Sequence, residues 1–531
     1  MIRIDAKLPL NFTQNDINNT ICSILPITQN DIKDVQLLKL SLDLSDKSNI
    51  CYKAAIGISL DIELEEKFKL RKKVCSPVED LTFCHKSYNI NNLRPIVIGA
   101  GPCGLFAALT LAEVGARPVV LERGFAIDER EIEVDKFLKF GILNPECNVQ
   151  FGEGGAGTYS DGKLKAGALN KYKLKILKEF IEAGATDDIV YSATAHLGTD
   201  KLGEIVKNIR QKIISLGGSF IFGAKFTEFV YKDESLSAIK YIKDGCENIL
   251  PCTDVVLAVG HSARDTITSL YERGFQMVPK GFGVGMRIEH PREYINDLVY
   301  GKNHDKSLET ATYHLVTHLK SGRSVYSFCM CPGGTVVPAA SELGGVVTNG
   351  MSVFNRDSDN SNCALLVSVT PEDFGSDHAL AGIEFQRQIE RTAFNMTNSY
   401  RVPSATMEDI YKGKTPNGNF GQVHPSYPIG HFTCSPNEYF PKYITDSLAE
   451  SFKDFDDWMP GFYMPDAVLS GPETRTTAPI RMLRDEKTRE AVAHSHVYPS
   501  GEGAGYAGGI VTSAYDGMLS ALALLQKCII N

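Results

Sequence analysis

A short apolar run, Pro95-Ile96-Val97-Ile98, passes directly into Gly99-Ala100-Gly101-Pro102-Cys103-Gly104, and an apolar helical pattern (LFAALTLAEVG) begins at once. No other stretch restricts the fold so strongly. A G-x-G-x-x-G turn between strand and helix belongs to dinucleotide-binding domains, and each glycine has a separate duty there. Gly99 permits the sharp turn, Gly101 lets a pyrophosphate approach the backbone, and Gly104 lets the helix pack closely on the strand. The helix amino terminus adds amide donors and a favourable dipole. Pro102 suits its first turn, where a missing N–H costs nothing. A second strand, Pro118–Leu121, ends at Glu122 followed by Arg123, eighteen residues after Gly104. An acid at that distance accepts hydrogen bonds from an adenosine ribose. With these parts in register, the chain from about Arg94 reads as a dinucleotide-binding domain rather than a plain glycine turn.

Two distant segments decide which dinucleotide. Asp254–Gly260, running into His261-Ser262-Ala263-Arg264, looks like the strand and turn that return the chain beside the cofactor in glutathione-reductase-like flavoproteins. Near the carboxyl end, VYPSGEGAGYAGG (Val497–Gly509) precedes a final helical run that starts at Ile510. There Gly501-Glu502 offers an acid for a ribityl chain, and Gly508 and Gly509 permit close backbone approach. The helix amino terminus suits the negative charge that reduction places on a flavin ring. These features select FAD. The glycine-dense loop Phe151–Gly162 is read as a further cofactor contact, with Gly155, Ser160, Asp161 and Lys163 near the pyrophosphate, ribityl chain or ring.

At 531 residues the chain is too long for one core. The expected fold is an α/β FAD-binding Rossmann-like domain of glutathione-reductase type, made of residues 93–274 and 470–531. A small α+β domain precedes it (1–90), and an α+β substrate domain is inserted at 275–469. In the first unit, strands are expected at Arg3–Leu8, Val35–Leu44 and Cys51–Ile62, with a helix at Asn15–Ile24. The polar stretch Arg71–Asn92 reads as a linker, with Arg71-Lys72-Lys73 as solvated charge. Further strands are expected at Ser219–Phe222 and Phe226–Tyr231, the latter opening a meander. The inserted region shows strand patterns at Phe282–Glu289, Tyr313–Leu319, Ser324–Met330 and Leu365–Thr370. Helical patterns fall at Lys171–Gly184, Lys201–Leu216, His378–Asn395 and Tyr443–Trp458.

Nothing approaches an apolar run of about 18 residues, so no membrane helix is expected. The start MIRIDAKLPLNF lacks a secretory pattern. A net charge of -9 argues against nucleic acid as a partner. Thirteen cysteines occur singly, without zinc or thioredoxin spacing, as in a cytoplasmic protein with reduced thiols and no metal site. Cys329 and Cys331 stand closest. Alternation in a strand would put both sulfurs on one face, and packing is the favoured reading over an electron-relaying dithiol.

Taken together, VIGAGPCGLFAALTLAEVG, NVQFGEGGAGTYSDGKL, VLAVGHSARDT, YSFCMCPGG, ETRTTAPIRMLRD and YPSGEGAGYAGGIVTSAYDG resemble a conserved family of FAD-dependent dehydrogenase-like proteins of bacteria and plastids. The resemblance runs from Arg94 to the end and implies FAD and an oxidoreductase, without a substrate. The candidates for chemistry are His261 as an acid or base, and Arg264, Arg475 and Arg481 as anchors for a carboxylate or phosphate. The expected reaction moves a hydride between a small organic molecule and FAD. The G-x-G-x-x-G spacing recurs only within the two glycine-dense segments already assigned to the flavin, Gly152–Gly157 and Gly503–Gly508, so no dedicated NAD(P)H domain is expected and NAD(P)H would serve only as a transient donor. The alternatives are a flavin monooxygenase on the same scaffold, or a flavin-binding RNA-modification or assembly factor.

Overall fold

A computed structural model describes residues 1–69, 74–165 and 167–530, so the basic run Arg71-Lys72-Lys73 lies outside the described residues. Pro95–Ile98 is the middle strand of a five-stranded sheet, ordered Val497–Pro499, Asp254–Leu257, Pro95–Ile98, Val119–Leu121, Ser219–Ile221. Every neighbouring pair in it is parallel. Parallel strands are covered on both faces, and alternation divides the side chains between the two covers. Val97, Val120, Val256 and Tyr498 pack against the helices Pro102–Glu113, Thr199–Ser215 and Ile510–Gln526. Ile96, Ile98, Leu121 and Leu257 face the other way, onto an antiparallel meander of Ala224–Lys232, Ser235–Lys243 and Cys246–Pro251. Only the first strand of that meander was visible in the sequence pattern. The helix Ile127–Phe140 was not, because its mixed face repeats only Ile127, Val134 and Phe137 as buried apolar positions.

The second large sheet has seven strands, ordered Val316–His318, Ser324–Cys331, Asn360–Val369, Phe282–Pro291, Val468–Glu473, Val402–Thr406, His431–Thr433. Its middle strand is buried along nearly its whole length. The helix Lys442–Trp458 lays Ile444, Leu448, Phe452 and Phe455 into the same core, the spacing of one helical face. Val468–Glu473 runs across the expected junction at 469/470, because the sheet needs its whole length to bridge Phe282–Pro291 and Val402–Thr406. Between Phe328 and Cys331 the pairing with Asn360–Val369 slips, and Cys329 adopts a φ of 43°.

The first unit is a four-stranded sheet, ordered Asp34–Asp43, Cys51–Ser59, Ile2–Leu8, Ser76–Pro77. The helix Gln14–Ile24 closes its core with Ile17 and Ile21, and begins at a Thr13–Asp16 capping box. The expected strand Cys51–Ile62 stops at Ser59; Ile62–Lys69 is a helix with acids in its first turn and lysines in its last, the arrangement its dipole favours. Among the described residues no helix is long and apolar enough to cross a membrane.

Candidate functional site

The carboxyl ends of the parallel strands open into a cavity of about 270 Å3, the place where such sheets bind ligands. Gly99, Gly101 and Pro102 form one wall, with Glu122 and Arg123 from the next strand end. The glycine-dense loop contributes Gly155, Ser160, Asp161 and Lys163. The return turn supplies Gly260 and His261, and the carboxyl-terminal segment supplies Glu502, Gly508, Gly509 and Ile510. Gly104 and Gly501 stand behind this wall. Gly104 presses on the Gly99 carbonyl, and the Gly501 N–H donates to Asp516 Oδ2 at 2.7 Å. Gln150, Phe151, Asn349 and Glu473 also line the cavity. Phe151 opens the loop already read as a cofactor contact, whereas sequence spacing gave no sign of Gln150, Asn349 or Glu473.

Glu122 is buried, and its carboxylate accepts from three backbone amides: Ala100 N at 2.8 Å, Gly124 N at 2.9 Å and Gly152 N at 2.9 Å. It therefore ties the glycine turn to the loop, with lone-pair capacity left for one more donor. Arg123 pairs with Glu146 and Asp265 and lies 4.0 Å from the Phe151 ring centroid. Arg130, fully buried, donates to the carbonyls of Asn148, Val149, Glu153 and Gly155. Asp161 receives a bidentate grip from Arg356, at 2.9 and 2.6 Å, and pairs with Lys163 at 3.0 Å. Burial pushes the Asp161 carboxyl up, but Lys163 and Arg356 outweigh it and hold it at about 2.

The four candidates for chemistry separate. His261 Nδ1 sits 3.4 Å from Glu502 Oε1, and its Nε2 is buried without a hydrogen-bond partner. Arg475 lines the cavity but is committed to Glu390 at 2.9 Å and to Ser262 and Ser341. Arg264 does not reach the cavity. Its guanidinium is 1% exposed and saturated by Glu390, Glu342 and Gln386 at 2.7–2.9 Å. Arg481 is exposed on the strand Ile480–Met482, stacks near Tyr506 and is likewise off the cavity wall. Both point away because the helix Arg264–Glu272 and the short strand Ile480–Met482 turn them outward from the strand ends.

The cavity fits a dinucleotide with a flavin. A Cβ at Gly101 would meet only Gly155 Cα, at 3.7 Å, and a Cβ at Gly260, Gly508 or Gly509 would meet nothing within 4 Å. Two helix amino termini, at Pro102 and Ile510, end on the same space. The first suits a pyrophosphate and the second a reduced ring. Fold and cavity together define the class, a Rossmann-like dinucleotide-binding protein. Residues 281–476 match the family described as FAD-dependent protein, C-terminal domain-like. The chain is 42% identical over 532 residues to a protein of Clostridium beijerinckii (strain ATCC 51743 / NCIMB 8052) described as uncharacterized, across 99% of each. It belongs to the same family as that protein, and its cofactor is FAD.

Several solved structures align with much of the chain at low similarity. A flavin-dependent brominase aligns over 83% of this chain and 80% of its own, with 10% identity and a TM-score of 0.37. Aklavinone-11 hydroxylase with FAD and aklavinone covers 83% and 62%, at 13% identity and a TM-score of 0.33. The 3-ketosteroid-delta4-(5alpha)-dehydrogenase of Rhodococcus jostii RHA1, with 4-androstene-3,17-dione, covers 86% and 100%, at 12% identity and a TM-score of 0.34. Likeness of that degree leaves the reaction to be argued from the site itself.

Proposed function

We propose that this protein moves a hydride between a small organic substrate and FAD, in the space where the five-stranded and seven-stranded sheets face each other. One observation carries the reading: a single cavity is walled by the glycine turn and last-helix terminus on one side, and by Phe328, Cys329, Asn349 and Glu473 on the other. Bound FAD supplies two-electron chemistry. Gly101 and the Pro102 helix terminus would hold its phosphates, Glu122 would accept from a ribose hydroxyl, and the Ile510 terminus would support the negative charge of a reduced ring. His261 Nε2 is the side-chain atom left free to hold or pass a proton, with Glu502 fixing its ring. Arg264 positions Glu390, which in turn positions Arg475 beside the substrate. NAD(P)H is the transient electron donor in this scheme.

Purified protein is expected to be yellow, with the two absorbance bands of an oxidised flavin. FAD at a hundred times its Kd should add about 2.7 kcal/mol of stability, read as a rise in Tm. A colourless protein whose Tm ignores added FAD would end this reading.

A further inference from the structure

The seven-stranded sheet brings two thiols to the point where two cavities meet. Cys329 lines the flavin cavity and also a second cavity of about 330 Å3, bounded by Lys165, Thr194, Tyr313 and His314. Only Lys163 and Phe328 share both walls with it. The slipped register and the φ of 43° at Cys329 are what turn this side chain out of the strand. Bulges re-aim side chains in this way, and a non-glycine residue held at positive φ is a strain that collects at functional sites. Cys331 lies fully buried behind it, and its thiol donates to the Cys329 carbonyl oxygen at 3.4 Å.

The surroundings are charged. Lys163 faces the pair from the glycine-dense loop. Arg287, on the middle strand, donates to the Cys329 carbonyl at 2.9 Å and lies 3.7 Å from Cys331 Sγ. Arg356 sits one step further, on Asp161. Against these three cations stand two carboxylates, Asp161 and Glu473, the latter 2.6 Å from Arg287. Glu289, two residues along the strand from Arg287, is a third buried carboxylate that interacts with it. Cys363, on the adjoining strand, is a thiol that burial pushes up to about 12.

We propose that Cys329 is a reactive thiolate and Cys331 its resolving partner, forming a redox dithiol that reduces a small-molecule disulfide held in the second cavity. The neighbouring Cys331 thiol lowers the Cys329 thiol first; burial opposes it, and Lys163 and Arg287 draw it further below its ordinary range. A free cysteine titrates near about 8.5. Cys331 is held above its ordinary range and keeps its proton until needed.

The Cys329 sulfur attacks one sulfur of the substrate disulfide, forming a mixed disulfide and expelling one substrate thiolate. Cys331 then passes its proton to that thiolate, and its sulfur attacks Cys329. This expels the second substrate thiolate, which takes a proton from solvent, and leaves a Cys329–Cys331 disulfide. An electron pair and a proton from reduced FAD, with one proton from solvent, restore both thiols. A ring closed over a single intervening residue is strained and so is readily reduced. Only this last return rests on the hydride-transfer reading above; the thiol exchange does not.

The test treats FAD-loaded protein with dithiodipyridine and follows thiopyridone release across pH, with peptide masses identifying the site. A fast phase releasing two thiopyridones per chain, half-maximal at least about one pH unit below the ordinary thiol range, is expected from the wild type. The exposed Cys84 and Cys246 serve as the slow reference. Cys331→Ser should release one and retain a mixed disulfide on Cys329, and Cys329→Ser should lose the fast phase. Lys163→Met keeps both thiols in place and should raise the midpoint by about one pH unit or more. In anaerobic protein with photoreduced flavin, the reagent should restore the oxidised flavin spectrum in the wild type faster than in Cys331→Ser. A midpoint in the ordinary thiol range, or a fast phase that survives Cys329→Ser, overturns the proposal. Colourless protein that still exchanges thiols would defeat the flavin reading alone, and yellow protein without the fast phase would defeat the thiol pair alone.

Discussion

The Gly101→Ala protein is expected to fold as the wild type does and yet lose FAD. Its new methyl would meet no protein atom closer than Gly155 Cα, at 3.7 Å, so the apoprotein Tm should stay within about 1–2 °C. The methyl would, however, occupy the space over which a pyrophosphate lies against the turn. A drop in FAD affinity of at least about 100-fold, or roughly 2.8 kcal/mol, should appear in fluorescence titration. Gly104→Ala makes the contrast. Its Cβ would fall 1.8 Å from the Gly99 carbonyl oxygen, an overlap that only a shift of the helix from the strand relieves. That protein should lose both stability, by about 1–3 kcal/mol or more, and cofactor. Equal FAD affinity in Gly101→Ala and wild type would show that the cofactor phosphates lie elsewhere.

The second large effect is expected at Glu390, far from any glycine. This buried carboxylate holds Arg264 at 2.7 Å and Arg475 at 2.9 Å, and accepts from Thr474. Glu390→Ala leaves two buried guanidinium groups facing each other with only Glu342 beside Arg264; removing one partner of a buried pair costs about 3–5 kcal/mol. Denaturant titration reads it as a lower midpoint. The acid response follows from the direction of the shift. Burial pushes the Glu390 carboxyl up, but Arg264 and Arg475 prevail and hold it well below the carboxylate range. Its contribution is therefore complete above the unfolded value of about 4.3, and is lost as pH falls toward the depressed folded value. Glu390→Gln should be less stable than wild type at pH 7, and the gap between them should close in acid. A gap that stays constant down to pH 3 would show that the carboxylate carries no such load.

The parts of this site that could be read in the sequence are those where backbone geometry permits few residue types. Gly99–Gly104 and Gly508–Ile510 are such places, since each needs glycine or a helix start at a fixed offset from an apolar strand. Side-chain direction was harder. Arg264 stands in the first turn of a helix, and the spacing from Gly260 could not show that this turn points it at Glu390 and Glu342. Cys329 illustrates the same limit in a strand. Regular alternation would have placed it on the face of Cys331, but the bulge at Phe328–Cys331 involves neither glycine nor asparagine and left no local mark. Glu473 reaches the cavity through pairing across the second large sheet, and Asn349 from a separate two-stranded ribbon of Thr335–Pro338 and Thr348–Met351; no short window contains either pairing. The polar second and third strands of the meander were missed because their outer faces look to solvent.

The grip of Arg130 and Glu122 on the glycine-dense loop bears on how the holoprotein comes into being. Every bond in that grip joins the chain to itself, from the Arg130 guanidinium to four carbonyls and from three amides to the Glu122 carboxylate. The entropy of ordering the loop is thus spent when the chain folds, and little remains to be lost on cofactor capture. A newly synthesised chain therefore presents a finished receptacle, and its conversion to holoprotein is governed by how much free FAD the surroundings hold, with no slow rearrangement of the loop standing in between.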